Sequence, residues 1–353
     1  MKKLVKLFII SLLSAICVLG LVACGSDSES SAAQGIICKK IDGDAFYTVV
    51  GYNAEEGVTT LDISEKVKAK YGDTAVVGRI RAGAFDGNTS LTEIIVKDSA
   101  EDDVNLTIDE GAFKNMRALK KITLPFVGAN ARSDAYFNAS APHADKAVDK
   151  ARSFGYIFGE EESDFSSPIT FTYGENGTAT FYIPVALTQV VISADYDIVI
   201  PMYAFCGLTR VYSVKLNGKI TAIGEKAFSN MPHLSSVNIP ASVETIYDYA
   251  FENTPFLKGA LEIAENSQLK EIKEGAFKGT KLTSVDVSGT QVSAIGNYAF
   301  YGSALVSFKF NLGINSVGAY AFANSKNLSL SNVVNKPADE KLGVNAFADI
   351  KED

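Results

Sequence analysis

Histidine and cysteine are scarce in this chain, with two of the first and four of the second among 353 residues. The imidazoles are His143 and His233, so a histidine-clustered metal site or a histidine-driven acid–base pair has little to be built from. No nucleophile elbow, Walker loop, dinucleotide fingerprint or His-x-x-x-His pair occurs, and no Cys-x-x-Cys spacing suits zinc. Asp42-Gly43-Asp44 and Asp195-Tyr196-Asp197 pair acids, but neither fits the twelve-residue calcium loop. The expectation is therefore no catalytic residue, no metal and no cofactor. Basic charge is also in deficit: 33 Lys and Arg face 41 Asp and Glu, for a net charge of −8. That balance argues against nucleic acid and against electrostatic adhesion to anionic lipid.

One long apolar run is present, and it opens the chain. Lys2, Lys3 and Lys6 form a basic start, and residues 7–23 carry no charge. Residues 1–23 therefore read as a targeting segment. It ends in Leu21-Val22-Ala23-Cys24, which resembles the lipobox of bacterial lipoproteins. That resemblance implies cleavage before Cys24 and lipidation of its thiol and amine, and two or more acyl chains hold a protein at a membrane stably. The alternative is an ordinary signal peptide whose cleavage site precedes a cysteine. Residues 24–35 read as a flexible tether, since 25–34 hold nothing that can build a core, and ten such residues span about 17 Å on average. Losing the leader removes three lysines and no acid, which takes the net charge from −8 to −11. Cys17 leaves with it. Cys38 and Cys206 remain, and the strict Cα separation of a disulfide is not expected of residues so far apart in sequence.

What the chain has in quantity is a repeat. Ala-Phe recurs nine times in register, at Phe85, Phe113, Phe205, Phe228, Phe251, Phe277, Phe300, Phe322 and Phe347, mostly about 23 residues apart. Five residues before each Phe stands an aliphatic, from Ile80 and Ile108 to Val317 and Leu342. Gly224, Gly296, Gly318 and Gly343 stand four before it, where they are expected to supply a positive φ at a sharp corner. After the Phe comes an apolar triplet such as Leu234, Val237 and Ile239, whose last two members alternate with polar residues as in a half-buried strand. A fixed period in this range means a solenoid whose coils touch only their neighbours. The phenylalanines are expected to pile into an internal column, with alanine letting the backbone pass close. Glu225, Asp248 and Glu274 fall in the turn before Ala-Phe and are expected to face solvent. Residues 47–52 and 59–63 read as an irregular opening coil that caps the stack.

The run Ile-Gly-x-x-Ala-Phe followed by Leu-x-x-Val-x-Ile-Pro, clearest over 223–240, resembles the BspA-like class of leucine-rich repeat, and the likeness covers the chain from about residue 60 onward. It implies a right-handed solenoid of short parallel strands, mostly β with short helical turns. It also implies a setting on bacterial surfaces, with adhesion and host contact as the associated roles.

The ladder is broken once, between Phe113 and Phe205. This break divides the chain into an N-terminal repeat block with its cap (36–124), an insertion (125–184) and a C-terminal repeat block (185–353). The insertion is rich in rings, and Ile169–Tyr173 and Thr178–Ile183 flank Asn176-Gly177, which predicts a β-hairpin closed by a type I′ turn. A segment like Gly155-Tyr-Ile-Phe-Gly159 also occurs in some long members of the family. Its aromatics make Tyr136, Phe137, Tyr156, Phe165, Tyr173 and Tyr182 the candidate ligand-binding residues; the competing reading is a small satellite core. Glu160, Glu161, Glu162 and Asp164 read as a solvated run.

Leader, tether and solenoid together point to a lipid-anchored protein on the outer face of a bacterial membrane, binding an extracellular protein or glycan. A structural role in envelope assembly is the alternative. A hydrolase with its site in the insertion is weaker, because no nucleophile and base can be named.

Overall fold

In the computed structural model, residues 34–40, 46–98, 106–130, 146–172 and 177–351 are described. From Gly35 onward the chain is one compact unit, a mostly-β parallel solenoid of about nine turns. The aliphatic five residues before each Phe explains one side of it. Ile200 pairs with Ile223, Ile223 with Ile246, Ile246 with Ile272, Ile272 with Ile295, and Ile295 with Val317, all in parallel register. Val317 then bridges Leu342. In the first coils Ile80 pairs with Ile108 in the same way. Except for Leu342, each of these side chains is at most 2% exposed. A β-branched residue suits this place because it packs on the pleat while its backbone bonds sideways.

The apolar triplets build the second ladder. Ile94, Ile122, Val190, Val214 and Val237 sit in one column of parallel pairs. Val285, Phe308 and Val333 form the corresponding column in the last coils. Gln189–Ile200 and Ser213–Ile223 are long enough to serve both ladders, with register shifts at the corner of the first.

Between the ladders the chain turns through Ala-Phe, and here the rings stack. Phe205, Phe228, Phe251, Phe277, Phe300, Phe322 and Phe347 follow one another at centroid separations of 4.9–5.3 Å, with interplanar angles of 1° to 13°. That spacing follows the roughly 4.8 Å separation of paired strands, so the backbone repeat sets the ring repeat. The alanine has a second role. Except at Phe113 and in the last turn, the Phe N–H donates to the alanine carbonyl of the next coil, at 2.7 Å from Phe277 to Ala299 and 3.0 Å from Phe85 to Ala112.

Three expectations need correcting. First, Gly224, Gly296, Gly318 and Gly343 do not adopt positive φ. Their reason is contact: a Cβ on Gly318 would lie 2.3 Å from the backbone N of Asn297, and one on Gly224 would lie 2.6 Å from the carbonyl oxygen of Ile200. Second, the opening is more regular than expected. Gly35–Lys40 pairs antiparallel with Phe46–Asn53, and Ile63–Tyr71 is a helix whose N-cap Asp62 accepts from the Glu65 N–H. The Asp-x-x-Glu spacing of a capping box was visible there. Third, the turn carboxylates do not simply face water. Asp248 accepts from the Glu274 N–H at 2.9 Å, and Glu274 accepts from the Tyr249 hydroxyl.

The insertion leaves the second ladder intact, since Lys121–Leu124 pairs directly with Gln189–Ile192. It takes part in the Ala-Phe stack itself. Phe113 N–H donates to Ile157 O, and Phe154 N–H donates to Ala204 O, both at 2.9 Å. Phe154 lies 5.1 Å from Phe205 and 5.4 Å from Phe158. The turn Phe154–Phe158 thus stands where a repeat turn would. Behind it the hairpin forms as expected, Ser166–Thr172 antiparallel to Thr178–Pro184, with Phe171 and Phe181 buried edge to face. Residues 173–176 of its turn lie outside the described residues.

Candidate binding surface

Each Ala-Phe turn contains two left-handed residues, at fixed places. One lies two before the Phe: Gly83, Gly111, Tyr203, Lys226, Tyr249, Gly275, Tyr298, Tyr320 and Asn345. The other lies two after it: Gly87, Asn115, Gly207, Asn230, Asn253, Gly279, Gly302, Asn324 and Asp349. All have φ between 51° and 77°. The hydrogen bonds give the reason. The N–H groups at these two places and at the Phe between them donate sideways to the next coil, as in Tyr249 to Glu274, Phe251 to Ala276 and Asn253 to Lys278. The intervening N–H groups fold back three residues, as Ala250 does to Tyr247 and Glu252 to Tyr249. The turn therefore needs this alternation to satisfy its donors.

Glycine meets the requirement without strain, and asparagine tolerates it. Five turns instead place Tyr203, Lys226, Tyr249, Tyr298 or Tyr320 there, at roughly 1–2 kcal/mol each. These side chains form a row. Lys226 Nζ lies 5.4 Å and 5.7 Å from the ring centres of Tyr203 and Tyr249, and donates to the Tyr203 hydroxyl at 3.3 Å. Lys278 Nζ lies 5.7 Å from the Tyr249 ring. Tyr249 covers Gly275, whose Cβ would lie 2.5 Å from that ring. Tyr298 and Tyr320 stack at 5.2 Å and 5°, and Asn345 donates to the Tyr320 hydroxyl at 3.1 Å. Tyr298 is 36% exposed.

Two protonation equilibria in the row are shifted. Burial works to lower the Lys226 pKa, but the Tyr203 hydroxyl and Glu225 carboxylate outweigh it and the net shift is upward. The hydrogen bond to Glu274, then burial, pushes Tyr249 well above the ordinary tyrosine range. Both groups keep their neutral-pH forms: an ammonium among rings and a phenol that donates.

The candidates in the insertion are scattered. Tyr136, Phe137 and Tyr173 lie outside the described residues. Tyr156 is half-buried against the core, and its carbonyl accepts from Gly111 N–H at 3.0 Å. Burial, then Glu110 and Asp109, raises its pKa. Tyr182 is half-buried in the hairpin, its N–H donating to Gly159 O at 3.0 Å. Phe165 is 46% exposed, with the Arg117 guanidinium 5.2 Å from its ring centre. A buried ion pair, Arg152 to Asp149 at 2.9 Å, also belongs to this segment.

Of the remaining chemistry, His143 and Asp42-Gly43-Asp44 lie outside the described residues. His233 packs on Phe256 at 5.6 Å. Cys206 approaches the Ser229 hydroxyl at 3.5 Å, and burial pushes its thiol pKa up. Among the described residues no group of three or more His, Cys, Asp or Glu could hold a metal ion, and no helix is long and apolar enough to cross a membrane. The left-handed row was missed because sequence reading assigned the positive φ to the wrong place. The signal was present: Gly, Asn and Asp fill every position two after the Phe.

Comparison with known proteins bears on the repeat. Among solved structures the chain is similar to a leucine-rich-repeat protein of Treponema pallidum, at 21% identity over 54% of this chain and 88% of that one, TM-score 0.41. It is similar to a leucine-rich-repeat protein of Bacteroides ovatus at 18% identity, over 90% and 79% of the two chains, TM-score 0.39. It is also similar to a leucine rich cell surface protein of Faecalibacterium prausnitzii at 18%, over 90% and 97%, TM-score 0.35. No curated protein matches it. The BspA type leucine rich repeat region matches in six copies, over residues 75–145, 174–289 and 258–352. With well over half its length so matched, the chain belongs to the BspA-type leucine-rich-repeat family.

Proposed function

We propose that this protein is a binding module held at a bacterial surface by lipid on Cys24, with an extracellular protein or glycan as its ligand. One observation carries the binding role: the turns hold tyrosine and lysine where glycine or asparagine would fit with less strain. Backbone strain that persists in a row of side chains calls for something gained by those side chains. Tyrosine is a rigid amphipathic group with few rotors to freeze, which suits a recognition surface. No arranged nucleophile and base accompany the row, so binding is the reading it supports. The anchor rests on the sequence alone, because Cys24 and residues 25–33 of the tether lie outside the described residues, and the strand that pairs with Phe46–Asn53 already begins at Gly35.

The test is a screen of the chain against matrix proteins and glycans, repeated with Tyr298→Gly/Tyr320→Gly. Relief of two left-handed side chains, about 1–2 kcal/mol each, offsets the lost stacking of about 0.5–1.5 kcal/mol and the lost burial. The double variant is therefore expected to fold with nearly wild-type stability and to capture less ligand. Capture unchanged in the variant, or no ligand at all, overturns the reading. Incorporation of labelled palmitate that is lost in Cys24→Ala tests the anchor separately.

A further inference from the structure

Two adjacent turns repeat a motif that the others lack. Asn230-Met231-Pro232-His233 and Asn253-Thr254-Pro255-Phe256 occupy the same places after Phe228 and Phe251. The corresponding stretches after Phe300 and Phe322 are Gly302-Ser303-Ala304-Leu305 and Asn324-Ser325-Lys326-Asn327. Here the solenoid carries a groove of about 380 Å³, lined by Thr209, Asn230, Pro232, Asn253, Pro255 and Gly279. That volume is at the lower end of the range for small-ligand sites, roughly 300–1,000 Å³.

We propose that this groove is a subsite for a neutral sugar, a pyranose unit of a glycan. The proposal rests on the binding role above and names its ligand class. The lining supports it in three ways. None of the six residues is ionised, in a chain with net charge −8, so a charged ligand finds no counter-charge in the groove. Its polar groups are amides and a hydroxyl, which donate and accept at once as sugar hydroxyls require. Pro232 and Pro255, at the same place in adjacent coils, give the lining an apolar surface for the C–H face of a pyranose, and Phe256, 51% exposed and paired with His233 at 5.6 Å, follows Pro255 directly in sequence.

The site is also preorganised. Asn253 Nδ2 donates to Asn230 Oδ1 at 3.2 Å, and Asn230 Nδ2 donates to Ser229 Oγ at 3.1 Å. Both backbones are fixed left-handed, with Asn230 N–H bonded to Glu252 O and Asn253 N–H to Lys278 O. Each amide keeps further hydrogen-bonding capacity for a ligand. Gly279 closes one side, where a Cβ would lie 3.3 Å from Asn253 Oδ1.

The experiment titrates the full chain, in a detergent without a sugar headgroup, with methyl glycosides of glucose, galactose, mannose and N-acetylglucosamine. Binding is followed by calorimetry and by the His233 ring resonances. At least one glycoside is expected to bind and to shift those resonances. Phe256→Ala and Asn253→Ala are each expected to weaken it by about tenfold or more, with unchanged far-UV circular dichroism, while Leu312→Ala binds as wild type. Glycoside binding that both variants retain overturns the subsite. So does a chain that captures proteins or charged glycans but no neutral glycoside, and in that case the binding role stands. A chain that binds nothing in either experiment overturns both.

Discussion

Phe277→Ala is the sharpest test of the coil stack. Phe277 is fully buried, between Phe251 at 5.1 Å and Phe300 at 5.3 Å, with both pairs within 7° of parallel. Truncating a buried phenylalanine costs about 3–5 kcal/mol through lost transfer energy and the cavity left behind. Two stacked partners place this residue toward the upper end. Phe347 has a parallel partner on one side alone, Phe322 at 4.9 Å, and is half-buried. Its truncation is expected to cost roughly half as much, about 2 kcal/mol. A Phe251→Ala/Phe277→Ala cycle should show a coupling of about 1 kcal/mol, because one substitution removes the other ring's neighbour. Coils interact with their neighbours alone, so the central variant should also broaden unfolding or split it into two transitions. Urea unfolding followed by far-UV circular dichroism measures all of this. Phe277→Ala costing no more than Phe347→Ala would refute the reasoning, since the rings would then not form a column packed on both sides.

Gly318→Ala is expected to destabilise by about 1–3 kcal/mol or more, because its Cβ would lie 2.3 Å from Asn297 N. Gly289→Ala, with nothing within 4 Å and no positive φ, is the control, and should gain about 0.4–1 kcal/mol through the unfolded chain; thermal melts distinguish the two. Tyr249 has its pKa raised in the folded state, so the stability it contributes is fully present below the unfolded value of about 10 and fades as pH rises beyond it. The urea midpoint of the wild type should therefore fall faster between about pH 9 and 11 than that of Tyr249→Phe.

The insertion shows where sequence reading reaches its edge. Its hairpin was legible, because strand alternation flanking Asn176-Gly177 is a local signal. Its place in the ring stack was not. Phe154 and Phe158 sit outside the Ala-Phe register, and only the bonds from Phe113 to Ile157 and from Phe154 to Ala204 show that this turn substitutes for a repeat turn. Four of the segment's rings, Phe154, Phe158, Phe171 and Phe181, fill a core. Cutting out 128–183 would therefore open the stack as well as remove the hairpin.

The nine-fold period was enough to determine the solenoid, its two ladders and the internal column of phenylalanines. Each of these follows from burying the same few apolar positions in every coil. Tertiary structure alone decided what glycine is for and what the turns display. A glycine admits either a left-handed backbone or a close neighbour, and the sequence does not say which. Gly318 is there because Asn297 of the preceding coil leaves no room for a Cβ. Tyr298 is left-handed because its N–H must reach Ala319 in the next coil. Both reasons lie one coil away, at a distance of about 23 residues in sequence and one strand spacing, about 4.8 Å, in space.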